Sequence, residues 1–94
     1  MAQAYEARVS GRAYFAALDP MPEGCEWPEP DRRPYGRGHQ YTYLLTQAQR
    51  DQMASHLMDT AMSLVAEGDA TSKLEARACA HAVVAVLMAP EVAR

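Results

Sequence analysis

The sequence predicts a small α+β domain whose elements follow one another in the order ββαα. Residues 39–45 alternate apolar with polar side chains, which is typical of a strand. Two later stretches, residues 46–67 and 72–89, repeat apolar residues at intervals of three and four, which is typical of helices. The turn between these helices is short, so they are expected to be antiparallel neighbours. The chain of 94 residues is expected to form a single domain.

The first predicted helix has a defined start and end. Thr46 and Gln49 are spaced as a capping box, in which the Thr hydroxyl accepts a hydrogen bond from the backbone N–H of Gln49. Gly68 can supply the positive φ that the end of a helix favours. The apolar stripe of this helix consists of Met53, Leu57, Ala61, Leu64 and Val65. A stripe of this kind predicts a helix that packs on the rest of the domain.

The second predicted helix is apolar on nearly all sides. Ser72 and Glu75 are spaced as its capping box, with Thr71 as an alternative cap, and Pro90 ends it. Towards its end, His81 alone interrupts the apolar run. A helix of this composition is normally buried on several sides. In so short a chain this predicts a partner, and the simplest partner is a second copy of the chain.

Residues 4–18 admit two interpretations. In the favoured one they form a strand, because Tyr5, Ala7 and Val9 alternate with polar positions and Gly11 suits a bulge or turn. This strand is expected to pair with residues 39–45 in a two-stranded antiparallel sheet that the helices cover on one face. The alternative is a mostly α fold with an N-terminal helix, which the abundant alanines favour.

Residues 21–38 are predicted to form a loop, because their density of Pro and Gly excludes a helix or a central strand. One interpretation is a surface connector that packs Trp27 against the helical hairpin. The other is a partner-binding loop, since Trp and Arg side chains often anchor interfaces. The candidate contact residues are Trp27, Arg32, Arg33, Tyr35 and Arg37.

The composition limits the class of function. A net charge of −3 gives no reason to expect a general affinity for nucleic acid or for an anionic membrane. The sequence contains no bilayer-spanning apolar run and no signal peptide, so a cytoplasmic location is expected. Lys73 is the single lysine beside many arginines and alanines, a usage typical of high-GC bacterial or phage genomes.

No residue pattern predicts catalysis or a metal site. Cys25 and Cys79 lie far apart in the sequence and are expected to stay reduced. Cys79 and His81 are two positions apart on a helix, where side chains point in different directions, so they do not form a pair of zinc ligands. We therefore expect no cofactor, no metal and no enzymatic activity.

The order of strand, capped helix, Gly-containing turn and Ser-capped helix resembles the ribbon-helix-helix family of DNA-binding dimers. The matching residues are Gln40 to Leu45, Thr46, Gly68, Thr71, Ser72, Glu75 and Arg77. The resemblance implies a dimer whose paired strands enter the major groove, with Gln40 and Thr42 contacting bases. Two hypotheses follow. The favoured one is a small protein-binding or adaptor protein that acts as a homodimer, and the alternative is a DNA-binding regulator.

Overall fold

The computed structural model describes residues 3–19 and 27–93. Strand β1 (Gln3–Ser10) leads into a short helix, α1 (Gly11–Ala13), and then a π-helical turn (Tyr14–Leu18). Strands β2 (Asp31–Tyr35) and β3 (Gly38–Leu45) form a hairpin. Two long helices, α2 (Gln47–Glu67) and α3 (Ala70–Leu87), precede strand β4 (Glu91–Ala93). The fold is therefore α+β, as predicted.

The described strands form one antiparallel sheet in the order β2-β3-β1-β4. Its central pair is the predicted one: on β1, Tyr5, Ala7 and Val9 lie opposite Leu45, Tyr43 and Tyr41 of β3. These side chains point to one face, and all but the partly covered Tyr5 are buried there. The predicted pairing is thus confirmed. The predicted number of strands is wrong, because β2 and β4 extend the sheet on its two sides.

The strand predicted over residues 4–18 is wrong beyond Ser10, where the chain becomes helical. The Ser10 side chain caps α1 by accepting a hydrogen bond from the backbone N–H of Ala13 at 3.2 Å. Gly11 passes close to β3, since a Cβ at this position would lie 3.3 Å from the carbonyl oxygen of His39. A polar cap followed by a glycine at a close backbone approach therefore ends the strand.

The aromatic residues that suggested a longer strand instead pack the helical turn onto the sheet. The ring of Tyr14 stacks on that of Tyr41, with centroids 3.8 Å apart and planes 4° apart. Packing against neighbours, rather than an intrinsic backbone preference, decides the conformation of such residues. The mostly α alternative is also wrong, because β1 precedes this turn and lies in the middle of the sheet.

The loop predicted over residues 21–38 contains strand β2. This strand pairs with β3 through a two-residue turn that starts at Gly36, whose φ is 60°. A positive φ at the first turn position matches the type II′ turn that suits the twist of a hairpin. Pro34 is tolerated because β2 lies at the edge of the sheet, where one side of the strand needs no backbone donor.

The helical hairpin is confirmed, with one correction at the start of α3. Thr46 accepts a hydrogen bond from the N–H of Gln49 at 3.1 Å, and the Gln49 side chain accepts one from the N–H of Thr46 at 2.9 Å. Gly68 ends α2 with a φ of 82°. The predicted Ser72 cap is wrong, since the carboxylate of Asp69 accepts a hydrogen bond from the Ser72 N–H at 2.8 Å and caps α3 earlier. A carboxylate is also favoured there by the helix dipole.

Strand β4 was not predicted from the sequence. Helix α3 ends slightly before its predicted limit, and the chain then returns to the sheet. The carbonyl oxygen of Pro90 accepts a hydrogen bond from the N–H of Glu6 at 2.9 Å, and Glu91 lies opposite Tyr5. Three residues are too few to show an alternating pattern, so no periodicity indicated this strand.

The hydrophobic core lies between the inner face of the sheet and one side of the helical hairpin. Its fully buried members from both layers include Val9, Tyr43, Leu45, Met53, Leu57, Cys79 and Val86. The other side of each layer faces outward. Three surfaces are consequently open to a partner: the outer face of the sheet, the outer side of the helices, and the sheet edges.

Candidate interaction surfaces

We call residues 31–39 the basic hairpin, and four of the five predicted contact residues lie on it: Arg32, Arg33, Tyr35 and Arg37. Every residue of the basic hairpin is exposed, and Tyr35 is 69 % exposed. The Arg33 guanidinium pairs with Asp31 at 2.8 Å, between two exposed side chains. Surface pairs of this kind contribute little to stability, so Arg33 can exchange its partner at small cost.

Trp27, the fifth predicted contact residue, is buried, with 7 % of its surface exposed. Its ring lies beside that of His56 on α2, with centroids 6.0 Å apart. The Nε2 of His56 lies 2.7 Å from the carbonyl oxygen of Ala17 and donates a hydrogen bond to it, which holds the imidazole in place. Trp27 thus packs against the helical hairpin, as the connector interpretation predicted, and its ring is not exposed to a partner.

The two residues of the DNA-binding alternative lie next to the basic hairpin. In the register of β2 and β3, Gln40 is opposite Arg33 and Thr42 is opposite Asp31. Residues directly opposite each other in an antiparallel pair point to the same face. Gln40 and Thr42 are half-buried on the outer face of the sheet. Arg33 therefore shares the outer face of the sheet with Gln40 and Thr42. Arg32 is opposite Tyr41 and points to the other face, where it lines a depression with Phe15.

Strand β3 is paired along both edges, with β2 on one side and β1 on the other. In a ribbon-helix-helix dimer, the strand pairs with its counterpart in the second copy. Residues 40–42 of β3 are paired on both sides, so Gln40 and Thr42 have no free edge for pairing with a second copy in this way. The resemblance to that family therefore extends to the order of the elements and not to the pairing of the strands.

We call the exposed side of the α2–α3 pair the outer helical face. A groove of about 510 Å³ runs along it between the helices, and its lining is mainly apolar. The large exposed apolar side chains at and beyond this groove are Met58, Met62 and Val65 on α2, and Val84 and Leu87 on α3. A large exposed apolar patch on a soluble domain usually marks an interaction site.

The outer helical face carries opposite charges at its two ends. On α2, Asp51 lies on the same helical stripe as Met58 and Val65, because successive members are seven residues apart, which is about two helical turns. On α3, Lys73 and Arg77 lie on the stripe that continues to Val84. Lys73 and Arg77 line the groove together with Val65, near the turn between the helices. Asp51 is therefore at one end of the face and the two basic residues are at the other, with Asp59, also exposed on α2, between them.

A second groove, the β1–α3 groove, lies between one edge of β1 and helix α3 and encloses about 420 Å³. Four of its lining residues have side chains that can donate N–H hydrogen bonds: Arg8, Arg12, Arg77 and His81. Among the described residues, no carboxylate lines it, although the chain as a whole is acidic. This groove was not predicted from the sequence. Its residues come from two distant segments, and no local pattern indicates that the fold brings them together.

Cys79, the cysteine that the structure describes, is buried. Burial raises the pKa of the Cys79 thiol, and Glu75 nearby raises it further. Buried thiols of raised pKa are poor nucleophiles. Within residues 3–19 and 27–93, no group of three or more His, Cys, Asp or Glu side chains could hold a metal ion. Cys25 lies outside the described residues, so the expectation that both thiols stay reduced remains a prediction.

Two further findings concern the chain as a whole. No helix in the described part is both long and apolar enough to cross a membrane. The chain matches no protein-family profile, and comparison with curated proteins and with solved structures gives no match.

Proposed function

We propose that this chain is a non-enzymatic binding protein that acts as a homodimer and engages a partner protein through the basic hairpin. The observation that carries the proposal is that every residue from 31 to 39 is exposed, so that three guanidinium groups and a tyrosine ring lie on a paired two-stranded scaffold. Arg and Tyr are enriched among the residues that dominate interface energetics. A paired scaffold also lowers the entropic cost of ordering these side chains on binding.

The dimer part of the proposal is supported by the outer helical face. Met62 and Val65 are exposed, and this surface lies on the side of the helices that is remote from the sheet. Association of two copies through this face would remove the apolar side chains from water. It would leave both basic hairpins uncovered, because each hairpin belongs to the sheet layer on the opposite side of the helices.

The charges at the ends of the face favour a second copy as its occupant. A two-fold axis between the two faces, perpendicular to the helices, reverses the direction of one copy relative to the other. The end of one copy that carries Lys73 and Arg77 then meets the end of the other that carries Asp51. This symmetric arrangement is self-complementary in charge, as an isologous interface requires.

The dimer is tested by measuring the solution mass with light scattering during size exclusion, over a dilution series. The wild type is expected to be a dimer at micromolar concentration. Met62→Asp is expected to be a monomer, because it places a charge in the centre of an apolar interface. The matched control is Phe15→Asp, since Phe15 is exposed to a similar extent but lies outside the outer helical face. A wild type that stays monomeric at high concentration would contradict this part of the proposal.

The orientation of the dimer is tested by a charge exchange. Asp51→Lys and Lys73→Glu are each expected to weaken the dimer, because each places like charges at the same end of the interface. The double variant is expected to recover much of the wild-type affinity. If the loss of dimerisation free energy in the double variant equals the sum of the losses in the two single variants, the two-fold arrangement described above is wrong.

The hairpin is tested with a photo-crosslinking amino acid at Tyr35, introduced in the native host. The control carries the same amino acid at Phe15, which is also an exposed aromatic residue but lies on the π-helical turn. A protein partner is expected to crosslink at position 35 and not at position 15. With the purified partner, Arg33→Glu and Arg37→Glu are each expected to weaken binding at least tenfold. Equal crosslinking at both positions, or binding unaffected by both substitutions, would refute the role of the hairpin.

DNA binding is the second candidate, and one observation favours it: Arg33 and Gln40 are neighbours across the hairpin on the same face. A two-stranded ribbon can enter the major groove, where Gln and Arg side chains contact base edges. This candidate predicts that duplex DNA binds with an affinity that falls steeply between 50 and about 200 mM salt. Fluorescence anisotropy with a labelled duplex measures this directly. An absence of binding at low salt would eliminate it.

A further inference from the structure

We infer that the β1–α3 groove binds an acidic, extended peptide segment of another protein, which adds a strand to the open edge of β1. This site is separate from the basic hairpin and from the surface proposed for the dimer, except for Arg77, which borders both the groove and the outer helical face. Three observations lead to it: an open strand edge, a length that suits a short strand, and a basic lining.

The open edge follows from the way β4 ends. β4 pairs with β1 over three residues, from Gln3 to Tyr5, and the next hydrogen bond joins the N–H of Glu6 to the carbonyl oxygen of Pro90. Backbone groups of alternate residues in a strand point to the same side. The N–H and carbonyl groups of Arg8 therefore point to the same side as those of Glu6, away from β3. No described strand pairs with β1 on this side beyond Glu6.

The dimensions of the groove suit an added strand. Its lining on α3 extends from Leu74 to Ala85, which at about 1.5 Å per residue corresponds to a length of about 16 Å. An extended peptide rises about 3.3 Å per residue, so about five residues cover this length. One wall is the edge of β1, and the opposite wall is helical and largely apolar, with Ala78 and Ala82 leaving space for side chains.

The charges of the groove select an acidic peptide. Arg8, Arg12 and Arg77 line it, and guanidinium groups bind carboxylates with paired hydrogen bonds. The nearest carboxylates do not neutralise this set. Glu6 pairs with Arg8 at 3.3 Å, but the Arg8 side chain is 61 % exposed, so the pair is weak and can be exchanged. Glu75 borders Arg12 only in a neighbouring depression.

In strand addition, the open edge of β1 and the basic residues have different roles. Main-chain hydrogen bonds to a sheet edge supply affinity for any extended peptide, and side-chain contacts supply the specificity. In a strand, alternate side chains point to the same face. A peptide that alternates acidic and β-branched residues can therefore direct its carboxylates to the outer face, where Arg8 points, and its apolar side chains to the wall formed by α3.

The test uses the full chain and a fluorescein-labelled peptide that alternates glutamate and valine over five residues, followed by fluorescence anisotropy. The expected result is saturable binding that Arg12→Glu weakens at least tenfold, while Arg37→Glu on the basic hairpin changes it less than twofold. The same peptide with N-methylated backbone amides is expected to bind at least tenfold more weakly, because it cannot form the strand ladder. A peptide with lysine in place of glutamate is expected not to bind.

Three outcomes would overturn the proposal. The first is no binding of the glutamate–valine peptide at millimolar concentration. The second is equal binding of the N-methylated peptide, which would indicate attraction by charge alone. The third is full displacement of the peptide by an equal concentration of inorganic phosphate, which would indicate a site for small anions. Circular dichroism of Arg12→Glu establishes that the variant is folded before its affinity is interpreted.

A second measurement reports on the strand edge itself. In a ¹⁵N-labelled sample, the amide of Arg8 is expected to exchange with solvent at least tenfold more slowly when the peptide is bound, because its N–H becomes part of the ladder. The amide of Tyr35 on the distant hairpin is the control and is expected to be unchanged. An unchanged exchange rate at Arg8 in the saturated complex would contradict strand addition even if the peptide binds.

Discussion

Replacing Tyr43 by Phe is expected to stabilise the protein, which is the reverse of the usual effect of removing a buried hydroxyl. Tyr43 lies on β3 and is fully buried. Its hydroxyl has no hydrogen-bond partner among the described residues. Burial raises the pKa of this hydroxyl well above its ordinary value of 10.0, so the group is neutral at all pH values at which the protein is studied. The substitution Tyr43→Phe removes one oxygen atom and leaves the ring in place.

The magnitude follows from the cost of a buried polar group without a partner. Such a group loses about 1–3 kcal/mol relative to its hydrated state in the unfolded chain. Replacing tyrosine by phenylalanine removes this cost but leaves a small space where the oxygen was, which offsets part of the gain. We therefore expect the free energy of unfolding to rise by about 1 kcal/mol. For a domain of this size, that corresponds to an increase in Tm of about 4–8 °C.

The assay is urea unfolding at equilibrium, followed by circular dichroism at one fixed protein concentration, because dimerisation would make the apparent stability depend on concentration. The matched control is Tyr41→Phe. Tyr41 is two residues away on the same face and is also buried, but its hydroxyl is not among the buried groups without a partner. This variant is expected to change the free energy of unfolding by less than about 0.5 kcal/mol.

A loss of stability in Tyr43→Phe would refute this reasoning. A decrease of 1 kcal/mol or more is what the removal of a satisfied buried hydrogen bond produces. That result would mean that the Tyr43 hydroxyl has a partner in the folded protein. Equal stabilisation in both variants would point instead to a general preference of this core for phenylalanine.

Three further predictions concern single residues. Gly68→Ala is expected to lower the free energy of unfolding by about 1–2 kcal/mol, because the φ of 82° at Gly68 is left-handed. Gly38→Ala is the control for the loss of a glycine, since no atom lies within 4 Å of the Cβ that alanine would add and the φ of Gly38 is ordinary. Cys79 is expected to resist iodoacetamide at pH 8 until urea unfolds the chain, and mass spectrometry of the digested protein locates the label; labelling of the native protein would contradict its burial. Hydrogen bonds from the backbone and side chain of Ser72 hold the pKa of the Asp69 carboxyl below 3.8. Asp69→Ala should therefore lower the urea midpoint at pH 7, and the difference in midpoint between variant and wild type should become smaller as the pH falls below about 3.8. A difference in midpoint that does not change with pH would show that the charge of Asp69 does not contribute to stability.

The parts of the fold that sequence reasoning predicted are those with strong local signals. The alternation of Tyr41, Tyr43 and Leu45 identified β3, and the Thr46 cap and Gly68 identified both ends of α2. In each case a few adjacent residues determine the backbone conformation, so a single sequence contains the information.

The missed elements depend on contacts between distant segments. Strand β2 has no apolar alternation and contains Pro34, and its conformation follows from pairing with β3. The end of β1 depends on the close approach of Gly11 to β3, which the sequence does not reveal. The same reason explains the candidate sites. The four predicted contact residues of the basic hairpin are close together in sequence, whereas Arg12 and Arg77 line one groove only in the folded chain.

The short strand β4 has a consequence for the order in which the protein folds and opens. Its pairing places Glu91 opposite Tyr5 and closes a loop that includes nearly the whole described chain, at an entropic cost of about 4 kcal/mol. The hydrogen bonds of a three-residue ladder offset little of this entropic cost until the helices and the other strands are in place. We therefore expect β4 to dock last in folding and to detach first in local unfolding, so that its amides exchange fastest among the strands. Each detachment lengthens the unpaired edge of β1, and a longer bare edge is where edge-to-edge aggregation of a destabilised variant would begin.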